Sequence, residues 1–136
     1  MSIVEVETWL IAPGDEEQHH EMIRSWIAFV QDNRELFEGW KSARYYRQVA
    51  APDGAPTGRY VMLFEYESME ARNAYKERRK DFQGPYAEYK KVDPYQFFDH
   101  DSVTMEHWEP QEEALWFSLS SSDGTATKPA VTEPVT

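Results

Sequence analysis

Few side chains in this sequence could carry acid–base or nucleophilic chemistry. The chain has four His and no Cys, so thiolate catalysis, disulfides and Cys-ligated metals are excluded. Imidazole titrates near neutrality and suits a general base. His107 alternates with Val103 and Met105. If those side chains face the helices, His107 lies at the cavity end of a strand and is the first catalytic candidate. His19 lies one turn before Ile23 on an apolar helix face and is the second, whereas His20 points away. Asp99-His100-Asp101, with His107, could ligate a divalent metal. Short polar runs before a strand are more often turn chemistry, so no metal is expected.

Two residue pairs compete for the cavity on one strand: Arg44 with Tyr46, or Tyr45 with Arg47. A slip of one residue exchanges them, and Arg44 and Tyr46 are the pair expected to face inward. An inward Arg would bind a carboxylate or enolate, and an inward Tyr could donate a proton to an oxyanion. Trp26 and Asn33 lie on the same helix face as His19. Asn33 could orient a ligand carbonyl or bond to backbone at the helix end. Tyr75, on the second helix, would close the pocket and is the third catalytic candidate.

The chain has 136 residues, one domain's length. The net charge of −11 opposes phosphate-backbone binding, so neither nucleic acid nor an anionic membrane is an expected partner. Basic residues cluster between Arg72 and Lys91, as a solvated helix face or as an anion-attracting rim. No stretch of 18 apolar residues marks a transmembrane helix. Glu5 and Glu7 interrupt the first apolar run, which argues against a secretory leader, so a cytoplasmic location is expected. Dinucleotide, P-loop and nucleophile-elbow motifs are missing.

These candidates are positioned by a simple series of elements. Residues 3–11 alternate as a strand. Pro13-Gly14 ends it, and Asp15 is placed to cap a helix over 15–37. His19, Ile23, Trp26, Val30, Asn33 and Phe37 share that helix's inner face. Gly39 stops it. Strands follow over 40–50 and 59–66, separated by the Ala/Pro/Gly-rich loop 50–58. Ser68 caps a second helix over 69–82, with Ala71, Ala74, Tyr75, Arg78 and Phe82 inward, until Gly84-Pro85 breaks it. Residues 86–99 suggest short helical turns interrupted by Pro94, and 102–109 form a fourth strand. Aromatics make up 15% of the chain, all before residue 118. Residues 1–117 are expected to form one domain, with Ala114–Phe117 docking on its own subunit or a partner. Residues 118–136 are expected to be a disordered Ser/Thr/Pro-rich tail.

The order βαβ-βαβ predicts an α+β, ferredoxin-like split-βαβ fold, a four-stranded antiparallel sheet with two helices on one face. The bare face is expected to carry Glu5, Glu7, Trp9 and Ile11 from strand one, with Val61, Leu63, Glu65, Thr104, Glu106 and Trp108. An apolar patch of that size asks for a cover, most simply a second copy packed sheet to sheet.

The strand, Pro-Gly and amphipathic helix of VETWLIAPGDEEQHHEMIRSW, the Gly39-Trp40 entry to strand two, and the strand, Ser cap and helix of RYVMLFEYESMEARNAY resemble the dimeric α/β-barrel superfamily over about residues 3–109. That group includes antibiotic-biosynthesis-type monooxygenases and muconolactone-isomerase-like enzymes. The resemblance implies homodimers with sheets face to face and a ligand cavity between each sheet and its helices. Monooxygenase-type members often carry His in the second helix. Here that helix reads ARNAYKERRKDF, with Tyr75 near the first such place and no His, which weakens both haem degradation and the common monooxygenase chemistry. The combined expectation is a homodimeric enzyme for an apolar, aromatic or polycyclic small molecule, using no cofactor. It would abstract a proton beside a carbonyl, as an isomerase or cyclase does, or carry out cofactor-free oxygenation. The alternative is a non-catalytic binding or assembly protein of the same fold.

Overall fold

A computed structural model describes residues 1–120. The strands are β1 (Ile3–Leu10), β2 (Trp40–Val49), β3 (Pro56–Tyr66) and β4 (Thr104–Trp108), and the helices are α1 (Glu16–Asp32), α2 (Met69–Arg78) and the single turn α3 (Tyr89–Val92). The sheet is antiparallel in the order β2-β3-β1-β4. This is the ferredoxin-like α+β fold expected, with the helices on one face. No described helix is long and apolar enough to cross a membrane.

The elements differ from expectation mainly at their ends. α1 stops at Asp32, and Arg34–Phe37 continues as a 3-10 turn. Asp15 stands at the N-cap position of α1 without a side-chain capping bond. Ser68 does cap α2, its Oγ accepting from Ala71 N at 3.0 Å. α2 ends four residues early, at Arg78, so Phe82 lies outside it and is exposed. The carboxylate of Asp81 accepts from the backbone N–H of Gln83 and Gly84, turning the chain before Gly84-Pro85 is reached. Asp99 likewise caps the turn His100–Ser102 by accepting from Asp101 N.

Strand one faces the opposite way from expectation. Ile3, Glu5, Glu7 and Trp9 are buried against the helices, while Val4, Val6, Thr8 and Leu10 lie on the other face. The cause is the register with β3, which sets Ile3, Glu5, Glu7 and Trp9 opposite Tyr66, Phe64, Met62 and Tyr60. Side chains alternate with period two, so Trp9 and Ile3 cannot enter the core without the two carboxylates between them. Val61, Leu63, Thr104, Glu106 and Trp108 lie on the open face as expected, opposite Val6 and its neighbours. At the far end of the described chain, Trp116 is half-buried and Leu115 and Phe117 are exposed. The expected tail lies almost wholly outside the described residues.

Gly39 joins the turn after α1 to β2 at φ +95°. A Cβ there would come within 2.8 Å of the Ala71 Cβ on α2. Gly39→Ala combines a left-handed backbone with a side-chain clash and should cost about 2–4 kcal/mol, read as a fall in the urea midpoint at unchanged slope.

Candidate functional site

Between the sheet and its helices lies a cavity of about 400 Å³. Its sheet wall is Glu5, Glu7 and Trp9 of β1 with Met62, Phe64 and Tyr66 of β3. Ile23 and Trp26 of α1, Tyr75 and Lys76 of α2 and Arg79 just past its end form the helix wall, and Asp93, Pro94 and Phe98 close one side. Apolar walls with a few polar groups of both signs are the usual make-up of a small-molecule site.

The phenols hold the wall together. Trp26 Nε1 donates to the Tyr89 hydroxyl at 3.0 Å, and the Tyr75 hydroxyl donates to the same oxygen at 3.3 Å. Burial pushes the Tyr75 phenol up to about 12 and raises Tyr89 well above its ordinary value. Both therefore stay protonated at neutral pH.

Glu7 is the unusual group. It is 8% exposed, lines the cavity, and makes no hydrogen bond or ion pair with any described residue. Burial first, and the Glu5 carboxylate second, raise its pKa to about 7, with Lys76 and Arg79 pulling the other way. A carboxylate held near neutrality in a cleft matches what a general base requires. Glu5 beside it is differently placed. Its Oε1 accepts from Arg72 Nε at 3.0 Å and from His107 Nε2 at 2.9 Å, so it is a paired structural anion.

The residues singled out from sequence separate into two groups. Tyr75 and Trp26 line the cavity. His107 faces the helix side, as its alternation suggested, but it sits on the edge strand bound to Glu5 and does not line the cavity. His19 also lies outside the cavity. It is buried, and its Nε2 accepts from Trp9 Nε1 at 2.9 Å, so the lone pair that a base would use is taken. Burial lowers its pKa to about 4. Asn33 stands at the C-terminal end of α1, donating to Phe29 O at 2.8 Å, which is backbone capping. Arg44 and Tyr46, expected to face the cavity from β2, do not. They pair in register with Leu63 and Val61, on the open face, and Tyr45 points inward. A bulge between Trp40 and Ser42 sets this phase, and a bulge leaves no periodic trace in sequence.

Glu7 is not legible as a cavity residue in the sequence, because alternation alone assigns it with Glu5 and Trp9 to the open sheet face. The pointer available in sequence was Trp9, which shares its parity.

His19 makes a separate prediction. Its folded pKa lies below that of an unfolded His, so its contribution to stability is present above pH 6.5 and is lost as pH falls through about 4. His19→Gln should remove that contribution, about 2–3 kcal/mol, so that stability relative to the wild-type protein rises toward acid in urea melts between pH 4 and 7.

A ferredoxin-like sheet with an aromatic cavity beneath two helices is the class of domain defined so far. No protein-family model matches the chain, and no curated protein matches it. Solved structures do. A candidate antibiotic biosynthesis monooxygenase from Bordetella bronchiseptica is 18% identical, with TM-score 0.57 over 82% of this chain and 98% of that one. One of the same description from Caulobacter crescentus is 18% identical, with TM-score 0.54 over 82% and 91%. A Streptomyces coelicolor monooxygenase solved with the ligand nanaomycin D is 17% identical, with TM-score 0.51 over 82% and 88%. At these identities the likeness establishes the fold. These three neighbours are antibiotic-biosynthesis-monooxygenase-like proteins of the ferredoxin-like fold.

Proposed function

We propose that this protein is a small-molecule enzyme in which Glu7 is the general base for an apolar, ring-containing carbonyl substrate. The observation that carries this reading is the unpartnered carboxyl of Glu7, facing an aromatic cavity with a pKa of about 7. The carboxylate takes a proton from the carbon beside the carbonyl, and the C–H electron pair moves into an enolate. Return of the proton to another carbon completes an isomerisation. Alternatively, the carbanion adds dioxygen, the peroxide is protonated, and loss of water leaves a new carbonyl. Monooxygenases among the structural neighbours support the second route. Trp26 and Tyr75 shape the pocket through Tyr89 in either case.

The test follows deuterium exchange into 2-tetralone by NMR and dioxygen uptake with anthrone. The wild-type protein should accelerate one of them, and Glu7→Gln should lose that acceleration. Equal rates in the two proteins would overturn the assignment, and acceleration of neither reaction would favour the binding-protein alternative.

We also propose that two copies pair through the open sheet face, where Val6, Val61 and Leu63 lie without a helix over them. Leu63→Lys should convert a dimer to a monomer in light scattering while leaving the circular dichroism spectrum unchanged.

A further inference from the structure

The cavity contains a second group without a partner. Of the three cations on its wall, Arg79 is ion-paired with Asp93 at 2.9 Å and Lys80 with Glu77 at 3.0 Å. Behind them, Arg72 is held by Glu5 at 3.0 Å. Lys76 forms no ion pair among the described residues. Its ammonium lies 5.9 Å from the centre of the Tyr75 ring, and Glu5 and Glu7 favour its charged form from beyond ion-pair distance. It is half-buried, and burial lowers its pKa. A partly desolvated ammonium among apolar walls attracts an anion far more strongly than one in water.

We propose, resting on the reading of Glu7 as the cavity's base, that Lys76 is the anion-recognition group of this site and that the ligand is an apolar ring system bearing one ionised oxygen. That oxygen belongs to an enolate, a phenolate or a carboxylate. Lys76 receives it in a charge-assisted hydrogen bond, while the ring fills the space between Trp26, Phe64 and Tyr75.

Glu7 couples this binding to protons. The charged groups facing it are Glu5 on its own strand, Lys76 from α2, Arg79 at the end of that helix, and Asp93 from the turn after α3. Tyr66, Tyr75 and Tyr89 are kept neutral by burial. On β4 its cross-strand neighbour is Met105, and His107 is held by Glu5. A ligand anion adds negative charge beside Glu7, as Glu5 already does, and favours its protonated form. Anion binding therefore takes up a proton, and affinity for the anion falls as pH rises above about 7.

The experiment titrates the full chain with 2-naphthoate and with its neutral isostere 2-naphthamide, by calorimetry at pH 6 and pH 8. Naphthoate stays ionised throughout. At pH 6 it should bind at least about tenfold more tightly than the amide, and this preference should shrink toward pH 8. Lys76→Met should erase the preference while preserving amide binding, and Lys76→Arg should retain it. Glu7→Gln should keep the preference and lose its pH dependence. Equal affinity for the two probes, or a preference surviving in Lys76→Met with its circular dichroism spectrum intact, would overturn the role of Lys76. A preference that depends on Lys76 but not on pH would instead remove Glu7 as its proton partner, leaving Lys76 in place. If neither probe binds, both assignments fall.

Discussion

Glu7→Gln should lower turnover by roughly 10²–10⁴-fold, the range that a positioned base contributes, and should stabilise the folded protein above neutral pH. The amide keeps the shape of the side chain and cannot accept the proton, so the catalytic loss is direct. The gain in stability follows from linkage. The folded pKa of about 7 lies above the ordinary 4.5. Between those values the folded state binds the extra proton, so stability falls as pH rises from 4.5 through 7. A shift of that size corresponds to about 3 kcal/mol, carried by the wild-type protein at pH 8 and relieved in the variant. Urea melts at pH 5 and pH 8 measure it. A variant that is inactive but no more stable at pH 8 would refute the buried, destabilised state of Glu7. His19 acts in the opposite sense, because its contribution grows as pH rises from about 4 to 6.5. Over the interval the two share, their slopes oppose each other in the wild-type protein. Glu7→Gln should expose the rising His19 slope, and His19→Gln the falling Glu7 slope.

Trp9→Ala should cost about 3–5 kcal/mol, the range for deleting a fully buried large aromatic. Trp9 is 0% exposed. Its ring stacks on Phe98 with centroids 3.9 Å apart and runs nearly parallel to Tyr45 at 6.0 Å. Its N–H satisfies His19, so the substitution also leaves a buried imidazole nitrogen without its donor. Chemical denaturation at pH 7 reads the loss. Phe97→Ala is the control. Phe97 neighbours Phe98 in sequence but is 60% exposed, and its removal should change stability by no more than about 0.5 kcal/mol. Equal losses from the two substitutions would contradict the packing described here.

Local signals in the sequence are reliable here where one element carries all the information. The inner face of α1 is an example. His19, Ile23 and Trp26 recur at helical spacing and all three are buried. Ser68 precedes α2 and caps it, and Gly39 stands at a bend that requires positive φ. Each of these depends on residues within a few positions of one another. The aromatic core was visible in the same way, since large flat side chains have few other places to go.

The site was less legible. Trp26 and Tyr75 lie on its wall, but alternation alone assigns Glu7 to the open face, and a basic cluster leaves Lys76 as either a solvated residue or part of an anion-attracting rim. On β1 the two alternating sets, Val4-Val6-Thr8-Leu10 and Ile3-Glu5-Glu7-Trp9, each contain enough apolar surface to be the buried one. On β2 a bulge exchanged Arg44 and Tyr46 for Tyr45.

Helix periodicity, turn chemistry and capping act over one or two turns of chain, so the order of the elements, the ferredoxin-like fold and the buried stripe of α1 are legible in the residues themselves. Which face of β1 and β2 meets the helices is set by long-range pairing in the folded sheet. That choice depends on register with β3, a residue-by-residue match between distant segments, and a shift of one position reverses every side chain. The same register carries Glu7 out of water and into a cavity beside Lys76, and burial there, rather than residue type, brings its pKa to about 7.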